Sequence, residues 1–438
     1  MKAIAVDTLG CKTNQYETEA ILSQFLQAGY KLCDIDDKPD VILINTCTVT
    51  KRADYKSRYL IRRALRSGNP NTIIIATGCY VNADADFFSS LADNVRVFPN
   101  EKKHQIFENI IKNKNDPLTP NEGTYIDFNP HEFHLHTRVP IKVQEGCDCF
   151  CSYCILPYVR GKPRSRQPQS IIDQINSITD SGVKEIVLTG INLGLYGKEF
   201  AGYSLSHLIE EIKSKTDISQ IRLSSLEPMF FLNDSCDEGI DKERICFLAS
   251  NNKVCPHFHI PLQSGADTVL TRMKRPYTTK QFSSIISHIK NQMPEAAIGC
   301  DVIVGFPGET EEEFARTAAF IESLPIAYLH VFPFSPRPYT SASHMTGRPH
   351  GTVVKKRVQQ LIAISKEKKK KYFKFLIKTQ YPLKTVFENH ANGFWTGVSD
   401  HYARVYLHDN NVQRGELKKV VAKKIDSDVN GVIVKLYR

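Results

Sequence analysis

The stretch Glu145–Tyr158, EGCDCFCSYCILPY, decides how the rest of the chain is read. It sets Cys147, Cys151 and Cys154 at C-x3-C-x2-C spacing. Three thiolates so close in sequence can hold three irons of a 4Fe-4S cube. The fourth iron is then open to bind and activate a small molecule. Zinc is an alternative, with Cys149 as a fourth thiolate, but zinc ligands commonly come as paired C-x2-C units, and C-x-C-x-C-x2-C crowds neighbouring side chains. A disulfide framework suits short secreted chains, and this one runs to 438 residues with no secretion signal. On spacing, Cys149 is the bystander.

Length predicts two to four domains. The hydrophobic share of 41% and charged share of 24% are those of an ordinary globular protein, so core-building is not limiting. No apolar run reaches membrane-spanning length, which predicts a cytoplasmic protein with no membrane partner. Twelve cysteines in a reducing compartment suggest metal or redox chemistry rather than bridges. A net charge of +10 favours an anionic partner such as RNA.

Around the first 115 residues, apolar runs alternate with helical patterns: 2–8, 41–45, 73–76 and 95–98 read as strands, and 51–67 and 101–113 as helices. This is the pattern of an open α/β sheet domain, expected over 1–115. Asn14 reads as a helix N-cap, with Glu17 in the capping-box position. Cys11, Cys47 and Cys79 each fall just past a strand. Parallel strands end on one shared edge, where ligands bind, so these three thiols should converge on a second metal site. Cys33 lacks such a place and reads as structural. Residues 116–136 are rich in Pro, Asn, Asp and His and read as a linker in which His131, His134 and His136 are solvated.

From 137 to 365 six strand–helix units follow, predicting a partial (βα)6 TIM-like barrel with its chemistry at the carboxyl ends of the strands. The cysteine loop follows the first strand, on that edge. The other strand-end loops supply candidate cofactor-binding residues: Gly190 and Asn192, then Ser224, Ser225 and Glu227, then Gln263, and finally Asp301 and Gly305. Arg222 suits either a phosphate or a structural ion pair. Residues 353–378 read as a basic helix whose Lys368–Lys371 run could track phosphates or simply face solvent. Residues 366–438 hold the end of this helix and five short β segments, the pattern of a small β-barrel. Its Phe394, Trp395 and Tyr402, with its lysines, could bind RNA.

The cysteine loop resembles that of the radical S-adenosylmethionine (SAM) enzymes, in which the methionine moiety binds the open iron and one electron breaks the sulfonium bond. Over essentially the whole chain the sequence resembles the methylthiotransferases, on NTCTVT (45–50), ATGCY (76–80), HIPLQSG (259–265), DVIVGFPGET (301–310) and FSPRP (334–338). TLGCKTNQYETE (8–19) is similar to the branch acting on threonylcarbamoyladenosine in tRNA. The isopentenyladenosine branch usually reads GCQMN here and the ribosomal-protein branch GCPKN, so Lys12 and Thr13 carry the distinction. Tyr339 departs from the usual Gly, Cys149 is uncommon in the loop, and Cys236, Cys246 and Cys255 match no family ligand.

The resemblance implies two 4Fe-4S clusters, one on Cys147, Cys151 and Cys154 and an auxiliary one on Cys11, Cys47 and Cys79. It also implies a C-terminal TRAM barrel, and methylthiolation at adenine C2 beside the anticodon at position 37. The implied partners are the tRNA anticodon loop, a flavodoxin- or ferredoxin-type electron donor and a sulfur donor. Isopentenyladenosine in tRNA and a ribosomal protein side chain are the alternative substrates.

Overall fold

The apolar runs of the first hundred residues pair side by side in a computed structural model that describes residues 2–112, 124–130, 132–233, 235, 239–409, 411–428 and 430–437. His131, Cys236 and much of the expected linker, including its start, lie outside the described residues. The strands β1 (Ala3–Thr8), β2 (Lys31–Leu32), β3 (Val41–Thr46), β4 (Ile73–Gly78) and β5 (Val95–Phe98) form one parallel sheet in the order β2-β1-β3-β4-β5. β3 is buried along its whole length, as a continuous VILINT run covered on both faces requires. Apolar side chains pack on both faces, Ile42, Ile44 and Ile74 in one core and Ile4, Leu43 and Ile75 in another.

The first helix, Lys12–Gln27, starts two residues before the expected cap, with Cys11 at the N-cap. Asn14 and Glu17 are buried inside the helix and turn toward other elements, so tertiary contacts replace the capping box. The expected helix at 101–113 opens as a 3-10 turn, Asn100–Gln105, before Ile106–Lys112.

Six further parallel strands follow as expected: β6 (Val139–Lys142), then β9 (Glu185–Thr189), β10 (Gln220–Leu223), β11 (His257–His259), β12 (Ala297–Val304) and β13 (Tyr328–Pro333). They form two three-stranded sheets, β10-β9-β6 and β11-β12-β13. The sheets meet through an Ile221–Val254 bridge and a Leu226 N–H to His259 carbonyl bond of 2.9 Å, giving a curved, incomplete barrel. A short antiparallel pair, β7 (Gln144–Glu145) with β8 (Arg164–Ser165), pinches the base of the cysteine loop. Gly146 makes that turn at φ +75°, and a Cβ there would lie 2.0 Å from the Lys162 carbonyl, so only glycine fits.

Two surface readings change. Glu19 is fully buried and needs donors. The backbone N–H groups of His134 and Leu135 supply them at 3.1 and 2.8 Å, and His136 Nδ1 lies 2.9 Å away, so the backbone here and His136 are tied down while the His134 ring remains exposed, as expected. In the helix Gly351–Thr379, Lys368 is bound to the Glu322 and Leu324 carbonyls and Lys369 to that of Asn430. Half of the lysine run therefore satisfies orphan carbonyls instead of presenting free charge.

The five C-terminal strands β14 (Leu383–Ala391), β15 (Phe394–Ser399), β16 (Arg404–Leu407), β17 (Leu417–Ile425) and β18 (Val432–Leu436) close into a barrel in the order β14-β15-β16-β18-β17. It is fastened to the larger barrel by Arg222, which is only 2% exposed. Arg222 pairs with Glu185 at 2.7 Å and donates to the Ser399 and Asp400 carbonyls at 2.9 and 3.1 Å. It is a structural arginine. No helix among the described residues is long and apolar enough to cross a membrane.

Arg222→Ala strands Glu185 in the interior. Thermal unfolding should show a loss of about 3–5 kcal/mol, and Arg222→Met combined with Glu185→Leu should recover most of it. Equal stability of Arg222→Ala and the unmutated protein would remove Arg222 as the fastener.

Candidate active site: two thiol triads on adjoining cavities

The cysteine loop is held at several backbone points. The Cys147 N–H donates to the Gly161 carbonyl at 3.0 Å, the Ser152 N–H to Met273 at 3.0 Å, and the Ser152 hydroxyl to Arg272 at 2.8 Å. Cys147, Cys151 and Cys154 line one cavity of about 330 Å³. Cys149, expected to stand apart, lines it too and hydrogen-bonds Cys147. That bond, helped by Asn192, holds the Cys147 thiol down to about 7, while burial pushes Cys154 up to about 12. Asn192 Nδ2 lies 3.8 Å from Cys147 Sγ and 3.5 Å from Cys149 Sγ. Arg275 donates to Cys151 Sγ at 3.3 Å and pairs with Glu227.

Of the strand-end candidates, Asn192, Ser225, Glu227, Gln263 and Asp301 line this cavity. Gly190 and Ser224 line its neighbour. A Cβ on Gly190 would lie 2.7 Å from Gln144 Oε1, so this glycine serves a close approach within the protein. Gly305 lines neither cavity. Its N–H donates to Glu309 at 2.7 Å and a Cβ would strike Val354 at 2.6 Å, which makes it a packing and turn position instead.

The neighbouring cavity, about 660 Å³, holds the second triad. Cys11 follows β1, Cys47 follows β3 and Cys79 follows β4. Those strands are adjacent in the sheet, so their carboxyl ends bring the three thiols together. Gly78, at φ +105°, lets β4 pass Thr46, whose carbonyl would lie 2.3 Å from a Cβ. Burial and the nearby Cys79 push the Cys47 thiol up to about 12. Cys33 lies just past the edge strand β2, its sulfur 3.7 Å from the Ile4 carbonyl.

Sequence reading missed the side chain that joins the two halves. Arg160 ends the short helix Leu156–Arg160 and is buried. Its Nε lies 3.2 Å from Cys79 Sγ. Its guanidinium reaches Glu17 at 2.6 Å, Glu145 at 3.2 Å and Asn14. Lys103 and Lys142 also pair with Glu17, and Lys142 with Glu145. Burial pushes the Glu17 carboxyl up, but Arg160, Lys103 and Lys142 outweigh it and hold it well below the carboxylate range. A basic run from Arg160 to Arg166 was the available signal, but nothing in it singles out Arg160.

The two cavities share Val49, Leu156, Ile191, Ser225, Asp301 and Phe332 in their walls. Asp301 accepts from His259 at 3.0 Å and lies 3.2 Å from His330 Nδ1. Burial raises the Asp301 carboxyl, but the two imidazoles prevail and hold it well below its usual range. Tyr402, from the C-terminal barrel, stacks on His257 at 4.3 Å between ring centroids and closes one side.

Each triad could hold three irons of a 4Fe-4S cube. The N–H donors on the sulfurs of Cys79, Cys147 and Cys151 fit thiolates, which is the form that ligates iron. An incomplete βα barrel with a three-cysteine loop at its carboxyl edge, preceded by a sheet domain with a second triad, defines the class: a radical SAM protein with a second thiol site. Residues 141–321 match the Radical SAM superfamily and residues 3–98 match the Uncharacterized protein family UPF0004.

The chain is 37% identical over 433 residues to the threonylcarbamoyladenosine tRNA methylthiotransferase MtaB of Bacillus subtilis, covering 96% of this chain and 93% of the relative. Against the protein of that name from Thermotoga maritima it is 33% identical, covering 99% and 96%. It is also 30% identical to a tRNA-2-methylthio-N(6)-dimethylallyladenosine synthase of Natranaerobius thermophilus, over 82% and 80% of the two chains. The chain belongs to the threonylcarbamoyladenosine tRNA methylthiotransferase family. Among solved structures its fold is similar to the radical SAM methyltransferase TsrM of Kitasatospora setae, at TM-score 0.56 and 14% identity over 78% of this chain and 77% of that one.

Two variants test the thiol assignments. Cys154→Ala should leave roughly half the iron of the reconstituted protein and abolish SAM cleavage. Cys79→Ala should lose a similar share of iron yet keep cleaving SAM. Cleavage at the unmutated rate in Cys154→Ala, or its loss in Cys79→Ala, would reverse the assignment.

Proposed function

We infer that the protein methylthiolates C2 of N6-threonylcarbamoyladenosine at position 37 of tRNA, in the cytoplasm. The observation that carries the reading is the pair of thiol triads opening on adjoining cavities with a common wall. The substrate comes from the relatives. Residues 1–115 form the auxiliary-cluster domain, 116–136 a linker, 137–365 the radical SAM barrel, and 366–438 the end of the basic helix with the TRAM barrel.

Bound on the two triads, 4Fe-4S clusters together with SAM would supply reductive sulfonium cleavage, hydrogen removal from adenine C2, the inserted sulfur and its methyl group. The chain's own residues do the rest. Asn192 and Arg275 direct N–H groups at Cys147 and Cys151, and favour the thiolate form. Arg160 directs its Nε–H at Cys79 Sγ. Ser225 and Gln263 offer hydroxyl and amide partners, and Glu227 a carboxylate, for the amino-acid part of SAM. Val49, Leu156, Ile191 and Phe332 give the wall shared by the two cavities its apolar surface. A base reaching these cavities must leave its stack, which suits an anticodon loop. The reaction also needs an electron donor of flavodoxin or ferredoxin type and a source of sulfur.

Nucleoside mass spectrometry tests the reading. Reconstituted protein with SAM, reductant and sulfide should add a methylthio group to tRNA bearing threonylcarbamoyladenosine and leave isopentenyladenosine tRNA unchanged. Modification of the isopentenyl nucleoside alone would keep the chemistry and change the substrate. Modification of neither, with SAM still cleaved, would point to a ribosomal protein.

A further inference from the structure

We propose that Lys12 binds the carboxylate of the substituent on the substrate base, and so selects an acidic N6 substituent over an apolar one. This rests on the functional reading above and names the residue that sets its specificity.

Lys12 is in an unfavourable place for a lysine. It is the first residue of the helix Lys12–Gln27, where the helix dipole repels cations. It lines the larger cavity beside Cys11 and is half-buried. Arg138 and Arg222 lie near enough to repel its ammonium. Each of those arginines already has a carboxylate, Arg138 with Glu388 at 2.8 Å and Arg222 with Glu185 at 2.7 Å. Asp301, across the cavity, is taken by His259 and His330. Among the described residues Lys12 has no hydrogen bond or ion pair of its own. Glu185 and Glu388 lie near enough to attract its ammonium but are engaged by Arg222 and Arg138, so Lys12 meets no carboxylate directly.

The same wall holds other unmet polar groups. His257, 3% exposed, has a buried Nδ1 without a partner, and so do Ser224 Oγ and Gln15 Oε1. Unpartnered buried polar atoms are expensive unless a ligand meets them. A threonylcarbamoyl group offers a matching set: one carboxylate, one hydroxyl, and urea-type N–H and C=O groups. An isopentenyl group offers only hydrocarbon, and would seal Lys12 from water with no partner, which disfavours it. The cavity, at about 660 Å³, has room for a base and such a substituent.

The test measures binding of reconstituted protein to anticodon stem-loop RNAs carrying threonylcarbamoyladenosine or its carboxyl methyl ester, which keeps the shape and removes the charge. The unmutated protein should bind the acid roughly 10- to 100-fold more tightly than the ester. Lys12→Gln should bind the two alike, and Lys12→Arg should keep most of the preference. Iron content confirms that each variant is loaded. An unmutated protein indifferent to the ester, or a Lys12→Gln variant with the full preference, overturns the proposal. A carboxylate preference lost in Lys12→Gln, with no methylthio product from the unmutated protein, would uphold the contact and overturn the reaction.

Discussion

Arg160 is the contact on which the arrangement of the site depends. It comes from the barrel's cysteine loop region, yet its partners Asn14 and Glu17 lie in the N-terminal domain. With buried Lys103 and the partly buried Lys142 it makes three cations against two carboxylates, Glu17 and Glu145. The surplus positive charge faces Cys79 Sγ at 3.2 Å. Charges this deep are tolerable only while all of them remain paired, so separating the sheet domain from the barrel would expose several at once. The network that fixes the angle between the two domains thus also places an N–H donor on a thiol of the second triad.

That linkage gives the shared cavity wall its meaning. One triad is mounted on a sheet edge and the other on a barrel loop, and neither element could set their separation alone. Leu156 stands between them on both cavities, one helical turn before Arg160. The spacer and the clamp lie on the same five-residue helix. Chemistry that removes a hydrogen at one centre and delivers sulfur from another needs such a fixed gap, because reacting atoms gain most when they are held in place beforehand.

Much of this was legible in the sequence, because strands and their ends are local. The apolar runs located β1, β3 and β4, and strand-end logic alone brought Cys11, Cys47 and Cys79 to one edge. The ion pairs were not legible. Glu17 looked like a capping-box residue because its spacing from Asn14 fits one, but Arg160, 143 residues away, decides its role. Lys368 and Lys369 looked like free charge because no pattern marks the carbonyls they bind. Gly305 looked like a cofactor contact because it follows a barrel strand at its carboxyl end, yet its neighbours are Val354 and Glu309. Cys149 was set aside on spacing, which ignores that Phe150, at φ +43°, bends the chain beside it. For Glu17, Lys368 and Lys369 the partner is distant in sequence, whereas Cys149 meets Cys147 two residues away through a local bend that spacing does not show.

The fastening of the C-terminal barrel by Arg222 has a mechanical corollary. Ser399 and Asp400 are bonded to a side chain on β10, and Tyr402 from the same turn forms part of the cavity wall. A domain so attached works as a fixed caliper. An RNA gripped on its outer surface meets the cavity at one set distance, and a nucleotide is served only if it stands that far from the gripped phosphates. Such an attachment would measure position along a loop rather than spell out its letters, and would leave the bending to the RNA.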